Sequence, residues 1–167
     1  LPICEVEVLN VRFRWQEKHW KSLVANYSKA PYFTLYREVF EQLYFAREYR
    51  FLSEVNETFI RAIAEILGIK TKVSLWRDFE YAGDRSERLL QICQQAGATT
   101  YLSGPAAKSY LNEAIFKDAG IKVEWMSYAG YPEYPQFYPP FTHEVSILDL
   151  LFQTGPKATE YMLTFSA

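Results

Sequence analysis

The chain has 167 residues, with 18 Lys and Arg against 20 Asp and Glu for a net charge of -2. Hydrophobic residues make up 49% and charged residues 23%, enough apolar surface for a folded core, which excludes a disordered chain. The near-neutral charge excludes a nucleic-acid binder of the electrostatic kind, and the length sets a default of one domain.

Cys4 to Asn10 alternates as a strand would, with Val6 and Val8 on one face and Glu5 and Glu7 on the other. No turn precedes it, so these first residues read as the interior of a longer protein whose native N-terminal segment lies upstream. Trp20, Leu23, Val24 and Tyr27 recur at three- and four-residue steps and predict a helix over Gln16 to Tyr27. Lys29-Ala30-Pro31 breaks it. Pro31 suits the first turn of a second helix, whose stripe of Phe33, Tyr36, Val39, Phe40 and Leu43 runs to about Ala46. Ser53 is the expected N-cap of a third helix, with Val55, Phe59, Ile63, Ile66 and Leu67 inward and Gly68 closing it.

Beyond Gly68 the pattern becomes regular. Ile69 to Leu75 reads as a strand. Asp84-Arg85-Ser86-Glu87 has the form of a capping box and opens a helix carrying Leu89, Leu90, Ile92, Cys93 and Ala96, closed by Gly97. Ala98 to Leu102 reads as a strand, Pro105 to Ala119 as helix in two pieces closed by Gly120, and Ile121 to Met126 as another strand. Helix, glycine and strand thus recur in the same order three times. That alternation predicts an α/β domain over residues 1–167: a mostly parallel sheet flanked by helices, Rossmann-like and three-layered, behind a helical N-terminal part.

Tyr128 to Phe141 differs. Its aromatic residues are interleaved with Pro132, Pro135, Pro139 and Pro140, which forbids a helix or a central strand and predicts an ordered aromatic loop. Val145 to Phe152 reads as a short helix, apolar on most sides, with Asp149 inside it and Gly155-Pro156 stopping it. Tyr161 to Phe165 reads as an edge strand.

The two cysteines, Cys4 and Cys93, lie far apart and read as reduced, packed thiols, with a single disulfide as the alternative. No spacing of Cys and His supports a metal site. No apolar run is long enough for a membrane span, and the acidic start lacks the form of a signal peptide. A cytoplasmic protein is expected.

Several residues are candidates for chemistry, each with a structural alternative. Ser103-Gly104-Pro105 follows a strand and opens a helix, where an α/β fold offers N–H groups to an anion; it is equally a tight turn. Lys108, one turn on, reaches such an anion or is simply solvated. His19 and His143 are too few for a metal set, and His143 neighbours the aromatic loop. Asp149 is a carboxylate among aliphatics, which costs several kcal/mol (order of magnitude) unless it is paired or hydrogen-bonded. It is either a cap for a neighbouring segment or a general base or ligand anchor. Ser146 is a helix cap, because no nucleophile elbow surrounds it. The aromatic loop is either packing or a ligand wall, since Tyr and Phe faces stack on sugars and bases. Arg12, Arg14, Lys18 and Lys21 form a basic cluster, either a solvated face or a phosphate contact.

The run Ala98-Thr99-Thr100-Tyr101-Leu102-Ser103-Gly104-x-Ala106-x-Lys108-x-Tyr110-Leu111 resembles a segment of the WbqC-like family. So do Gly120-Ile121-x-Val123, Tyr131 to Gln136, and Phe141-x-x-x-Val145-Ser146-Ile147-Leu148-Asp149-Leu150-Leu151-Phe152-x-x-Gly155, in the same order. Upstream, His19-Trp20 and Tyr27-x-x-Ala30-Pro31-Tyr32-Phe33 fit it as well. The family's opening strand and its Gln-Pro-x-Tyr-x-Pro-Trp-like segment do not occur in this sequence.

The resemblance implies a step on a nucleotide-linked sugar in bacterial surface-polysaccharide (O-antigen) biosynthesis. The implied reaction is acyl or aminoacyl transfer to a sugar amine. No cofactor is implied; acyl-coenzyme A or a carrier-protein thioester is the implied co-substrate. Asp149 and His143 are then the catalytic candidates. Ser103, Gly104, Lys108, Tyr110, Tyr134, Gln136 and Ser146 are the substrate-binding candidates, with Lys108 and the Gly104 corner on a pyrophosphate. The alternative is a non-catalytic sugar- or nucleotide-binding partner of the same pathway. The oligomeric state stays open.

Overall fold

The apolar stripes become helices. In the computed structural model, which describes residues 3–8 and 14–163, these are α1 (Trp15–Tyr27), α2 (Phe33–Phe45) and α3 (Leu52–Ile66). Then follow α4 (Arg85–Gln95), β1 (Thr100–Ser103), α5 (Glu113–Asp118), β2 (Lys122–Trp125) and α6 (Ile147–Thr154). Short 3₁₀ turns lie at Ile3–Glu5, Trp76–Asp78, Pro105–Ser109 and Gly155–Tyr161. The chain divides into two units, one from Leu1–Thr71 and Tyr131–Ala167, the other from Lys72–Gly130.

The first unit is helical and centred on α6. Every residue of α6 from Leu148 to Thr154 is buried, the expected place for a helix apolar on most sides. Phe152 is wholly buried and meets the rings of Tyr27, Phe33 and Phe40 at centroid separations of 5.3, 5.1 and 5.5 Å. These tilted and edge-on pairs tie α1 and α2 to α6. The Ser146 hydroxyl caps α6 by accepting the Leu148 N–H at 3.3 Å. Gly155 ends the helix at φ +60°, with the Tyr32 ring packed where a Cβ would stand.

Two expectations change in the first part of this unit. Ser53 does not cap α3; Phe51 holds the N-cap position. The Glu54 carboxylate instead accepts the N–H groups of Arg50 and Phe51 at 2.9 and 3.0 Å. The longer side chain reaches back to donors that a serine already inside the helix cannot meet. Those bonds, Phe51 foremost, hold the Glu54 carboxyl below its usual range. Nor do the described residues of the Cys4 to Asn10 stretch form a strand: Ile3–Glu5 is a 3₁₀ turn, and among them only Glu7 bridges, antiparallel, to Phe51. Alternation specifies faces, but here the backbone partner is one residue long. Leu9 and Asn10 lie outside the described residues.

In the second unit β1 and β2 pair in parallel, from Thr100↔Lys122 to Ser103↔Trp125. The predicted capping box opens α4: Asp84 Oδ1 accepts the Ser86 and Glu87 N–H groups at 2.7 and 2.9 Å, and Glu87 Oε2 accepts the Asp84 N–H at 2.7 Å. Helical residues on either side of Tyr110 fall in two pieces, as predicted. Cys93, Leu111, Phe116 and Ile121 form this unit's own core, with Tyr101 stacked on Phe116 at 5.3 Å. Burial pushes the Cys93 thiol up.

The α/β reading therefore holds in coarse form, as helices with a small parallel pair. Ile69 to Leu75 forms no strand; its alternating residues lead into the Trp76–Asp78 turn. A strand needs a neighbour's backbone groups, which alternation alone does not supply. The end of the chain is likewise not an edge strand as far as it is described: Tyr161 closes a 3₁₀ turn, and Phe165 lies outside the described residues. Among the described residues no helix is long and apolar enough to cross a membrane.

Candidate functional site

Asp149 stands in the first turn of α6 and is 6% exposed. Aliphatic residues flank it along the chain, but residues 131–146 bring it polar partners. The Tyr134 hydroxyl donates to Oδ2 at 2.7 Å, and the Gln136 Nε2 donates to the same oxygen at 3.0 Å. The Tyr27 hydroxyl on α1 also engages Asp149; burial first, then the carboxylate's charge and hydrogen bond, push that phenol up to about 12. Burial and the hydrogen bond to Asp149 raise Tyr134 too. Both phenols therefore keep their protons and remain donors. The N-terminal end of α6 adds a favourable dipole for a carboxylate.

The same contacts order the proline-rich loop. Gln136 pairs through its amide with the backbone of Thr142, donating to the C=O at 2.9 Å and accepting the N–H at 3.0 Å. Residues 136–142 are thus closed into a loop by one side chain that also holds Asp149. The Tyr134 ring packs edge-on against Phe141 at 5.1 Å and Tyr161 at 5.7 Å, and Phe141 packs against His143 at 4.7 Å. Phe137 and Tyr138 are turned outward, 39% and 77% exposed.

The remaining candidates fall in several places. His143 and Ser146 are exposed, and the Ser146 hydroxyl is engaged as the α6 cap. Ser103, Gly104, Lys108 and Tyr110 belong to the second unit. Ser103 is buried, and its C=O accepts the Met126 N–H at 2.8 Å. The Gly104 C=O closes a turn by accepting the Ala107 N–H at 3.1 Å. The Lys108 ammonium lies 5.4 Å from the centre of the Trp125 ring. Tyr110 is exposed and carries the Arg85 guanidinium 4.4 Å above its ring. His19 lines an open cavity of about 680 Å³ with Trp15, Tyr44 and Phe59 in the first unit. Of the basic cluster, Arg14 and Lys21 pair with Glu17, and Arg12 lies outside the described residues. Among the described residues no three His, Cys, Asp or Glu side chains converge as a metal would require.

Asp149, Tyr134 and Gln136 are therefore brought together. Sequence reasoning missed Tyr27, which it placed in an apolar stripe, and Gln153. Gln153 is buried one turn after Asp149, and its Nε2 meets no partner among the described residues. The four-residue step on one helix face was the signal that could have linked it to Asp149.

A model of the WbqC-like protein family matches residues 1–161. The chain belongs to the WbqC-like family. The resemblance read from its residues is borne out, and the Asp149 cluster falls inside the matched WbqC-like region. The chain is also 40% identical over 148 residues to the uncharacterized protein Rv1507c of Mycobacterium tuberculosis. That match takes in 89% of this chain and 64% of the relative, so this WbqC-like chain spans just under two thirds of the curated protein it matches. No solved structure matches it.

Proposed function

We propose that this WbqC-like chain acts on a nucleotide-linked sugar in bacterial surface-polysaccharide (O-antigen) biosynthesis, as a transferase that moves an acyl or aminoacyl group to a sugar amine. The supporting observation is the ordered aromatic loop: exposed Phe137, Tyr138 and His143, held on buried Asp149 through Tyr134 and Gln136. Aromatic faces of this kind stack on sugar rings and bases. Histidine is the side chain most often used for proton transfer. Asp149 is enclosed, and its Oδ2 already accepts two hydrogen bonds, so in this reading it is a positioning residue and His143 is the base.

The donor is acyl-coenzyme A or a carrier-protein thioester. The sugar amine attacks the thioester carbonyl; the N–C bond forms, the C–S bond breaks, and the amine proton passes to His143 and on to the leaving thiolate. The step belongs to the cytoplasm in this reading.

His143→Gln tests it against a panel of nucleotide sugars with acyl-coenzyme A. Turnover should fall by about 100-fold or more, the range of a lost general base, with sugar affinity unchanged. Asp149→Asn should lower affinity and turnover together, because it loosens the whole loop. Undiminished turnover in His143→Gln removes the base. Affinity without turnover in the unaltered protein favours the binding-partner alternative.

A further inference from the structure

Most basic side chains placed near a carboxylate are already paired. Arg14 and Lys21 meet Glu17, Arg37 meets Glu41, Arg50 meets Glu7, Arg61 meets Glu57, and Lys122 meets Glu124. Arg85 and Arg88 of α4 form no such ion pair among the described residues. They stand three residues apart in the first turns of the helix, on one face. Arg88 donates its Nε to the Gly83 C=O at 2.8 Å, which leaves its terminal nitrogens uncommitted. Arg85 lies over the Tyr110 ring. The acids beside them, Asp84 and Glu87, are turned to the N–H groups of the capping box.

These two guanidinium groups line an open groove of about 540 Å³ in the second unit. Tyr81, Tyr101 and Tyr110 form its aromatic walls, Leu89 and Ile92 contribute apolar surface, and among the described residues no carboxylate lines it. Guanidinium forks match phosphate oxygens two at a time. Phenol rings offer faces on which a flat heterocycle stacks. A bare phosphate has no use for the rings, and an apolar ligand has no use for two cations. A ligand with both an anionic and a planar part uses all five side chains, and the groove's volume is that of a small-molecule site.

We infer that the groove formed by Arg85, Arg88, Tyr81, Tyr101 and Tyr110 binds a nucleoside diphosphate, the arginines holding the phosphates and the tyrosines stacking on the base. The inference rests on the nucleotide-linked substrate proposed above and names where its nucleotide is held. Tyr110 is the residue common to the groove and to the substrate-binding set expected from the sequence.

Titration calorimetry on the whole chain tests it with UDP, ADP, inorganic pyrophosphate and uridine as probes. At least one nucleoside diphosphate should bind, more tightly than pyrophosphate or uridine. Arg85→Gln and Arg88→Gln should each weaken that binding by about tenfold or more, near 1.4 kcal/mol. Tyr110→Leu should weaken the nucleotide while leaving pyrophosphate within about twofold, since stacking and phosphate contacts are separate. Unaltered far-ultraviolet dichroism in each variant separates these losses from misfolding. Nucleotide affinity unchanged in both arginine variants overturns the groove and leaves the proposed substrate standing. Binding of no nucleotide, or equal binding of pyrophosphate and nucleotides, also overturns it. Arginine-dependent nucleotide binding beside an inert His143→Gln substitution would instead support the groove and sink the transfer reaction.

Discussion

Asp149 survives inside α6 because three donors reach it, Tyr27 from α1 and Tyr134 and Gln136 from the aromatic loop. Tyr134→Phe removes one of them while preserving the ring packing against Phe141 and Tyr161. A hydrogen bond to a charged group contributes about 1.5–3 kcal/mol, so urea denaturation of this variant should show a loss in that range. A change within error would mean that the carboxylate is satisfied elsewhere. The same cluster predicts an alkaline weakness. Tyr27 ionises near 10 when unfolded and at about 12 when folded. Between those values the unfolded chain releases a proton that the folded chain keeps, so stability present below pH 10 drains away as pH rises towards 12. Thermal melts across that interval should fall less steeply in Tyr27→Phe than in the unaltered protein; parallel curves would refute the coupling. The carboxylate's isolation among Leu148, Leu150 and Leu151 was legible in sequence. Tyr27 was not, because a stripe position records burial and says nothing of what the hydroxyl meets. The Gln136 pairing across the prolines was equally hidden, being a contact that only the closed loop creates.

At the scale of elements, local signals were read well and non-local ones poorly. The Asp84 box and the helix stops at Gly97 and Gly120 depend on residues within a few positions of each other. The Ser53 cap failed because the helix already starts at Leu52, which leaves Ser53 inside its first turn, while Glu54 reaches back to the Arg50 and Phe51 N–H groups. The strand expected over Ile69 to Leu75 failed because its partner edge would have to come from elsewhere in the chain. Glycine positions allow a sharper test. Gly68 and Gly155 both have positive φ, at +69° and +60°, but a Cβ at Gly68 meets nothing within 4 Å. At Gly155 it would run into the Tyr32 ring, and the Tyr32 backbone N–H is tied to the Phe152 C=O. Gly68→Ala should therefore cost only the backbone term, about 1–2 kcal/mol. Gly155→Ala should cost more, because φ +60° with ψ -132° lies outside the left-handed helical region and Tyr32 must also be displaced, together above about 3 kcal/mol. Denaturation midpoints of the two variants decide it, and equal losses would show that Tyr32 yields freely.

For the whole chain, length set a default of one domain, while the periods of the stripes could not say which stripes share a core. The described residues hold two cores without a common member, one around Phe40, Leu151 and Phe152, the other around Cys93, Phe116 and Ile121. The first is assembled from both ends of the sequence: the chain leaves it near Thr71 and returns at Tyr131, where the aromatic loop begins. Each core has a wholly buried phenylalanine, Phe152 in one and Phe116 in the other. Truncating such a ring to alanine costs about 3–5 kcal/mol, a large part of a typical domain's stability. Protection of backbone amides from hydrogen exchange reports the local share of that loss. Phe116→Ala should speed exchange in α4, β1, α5 and β2 while α6 keeps most of its protection. Phe152→Ala should speed exchange in α1, α2 and α6 and spare the β1–β2 pair. Exchange mass spectrometry resolves these segments, and a uniform rise across all of them in both variants would show that the two cores melt as one.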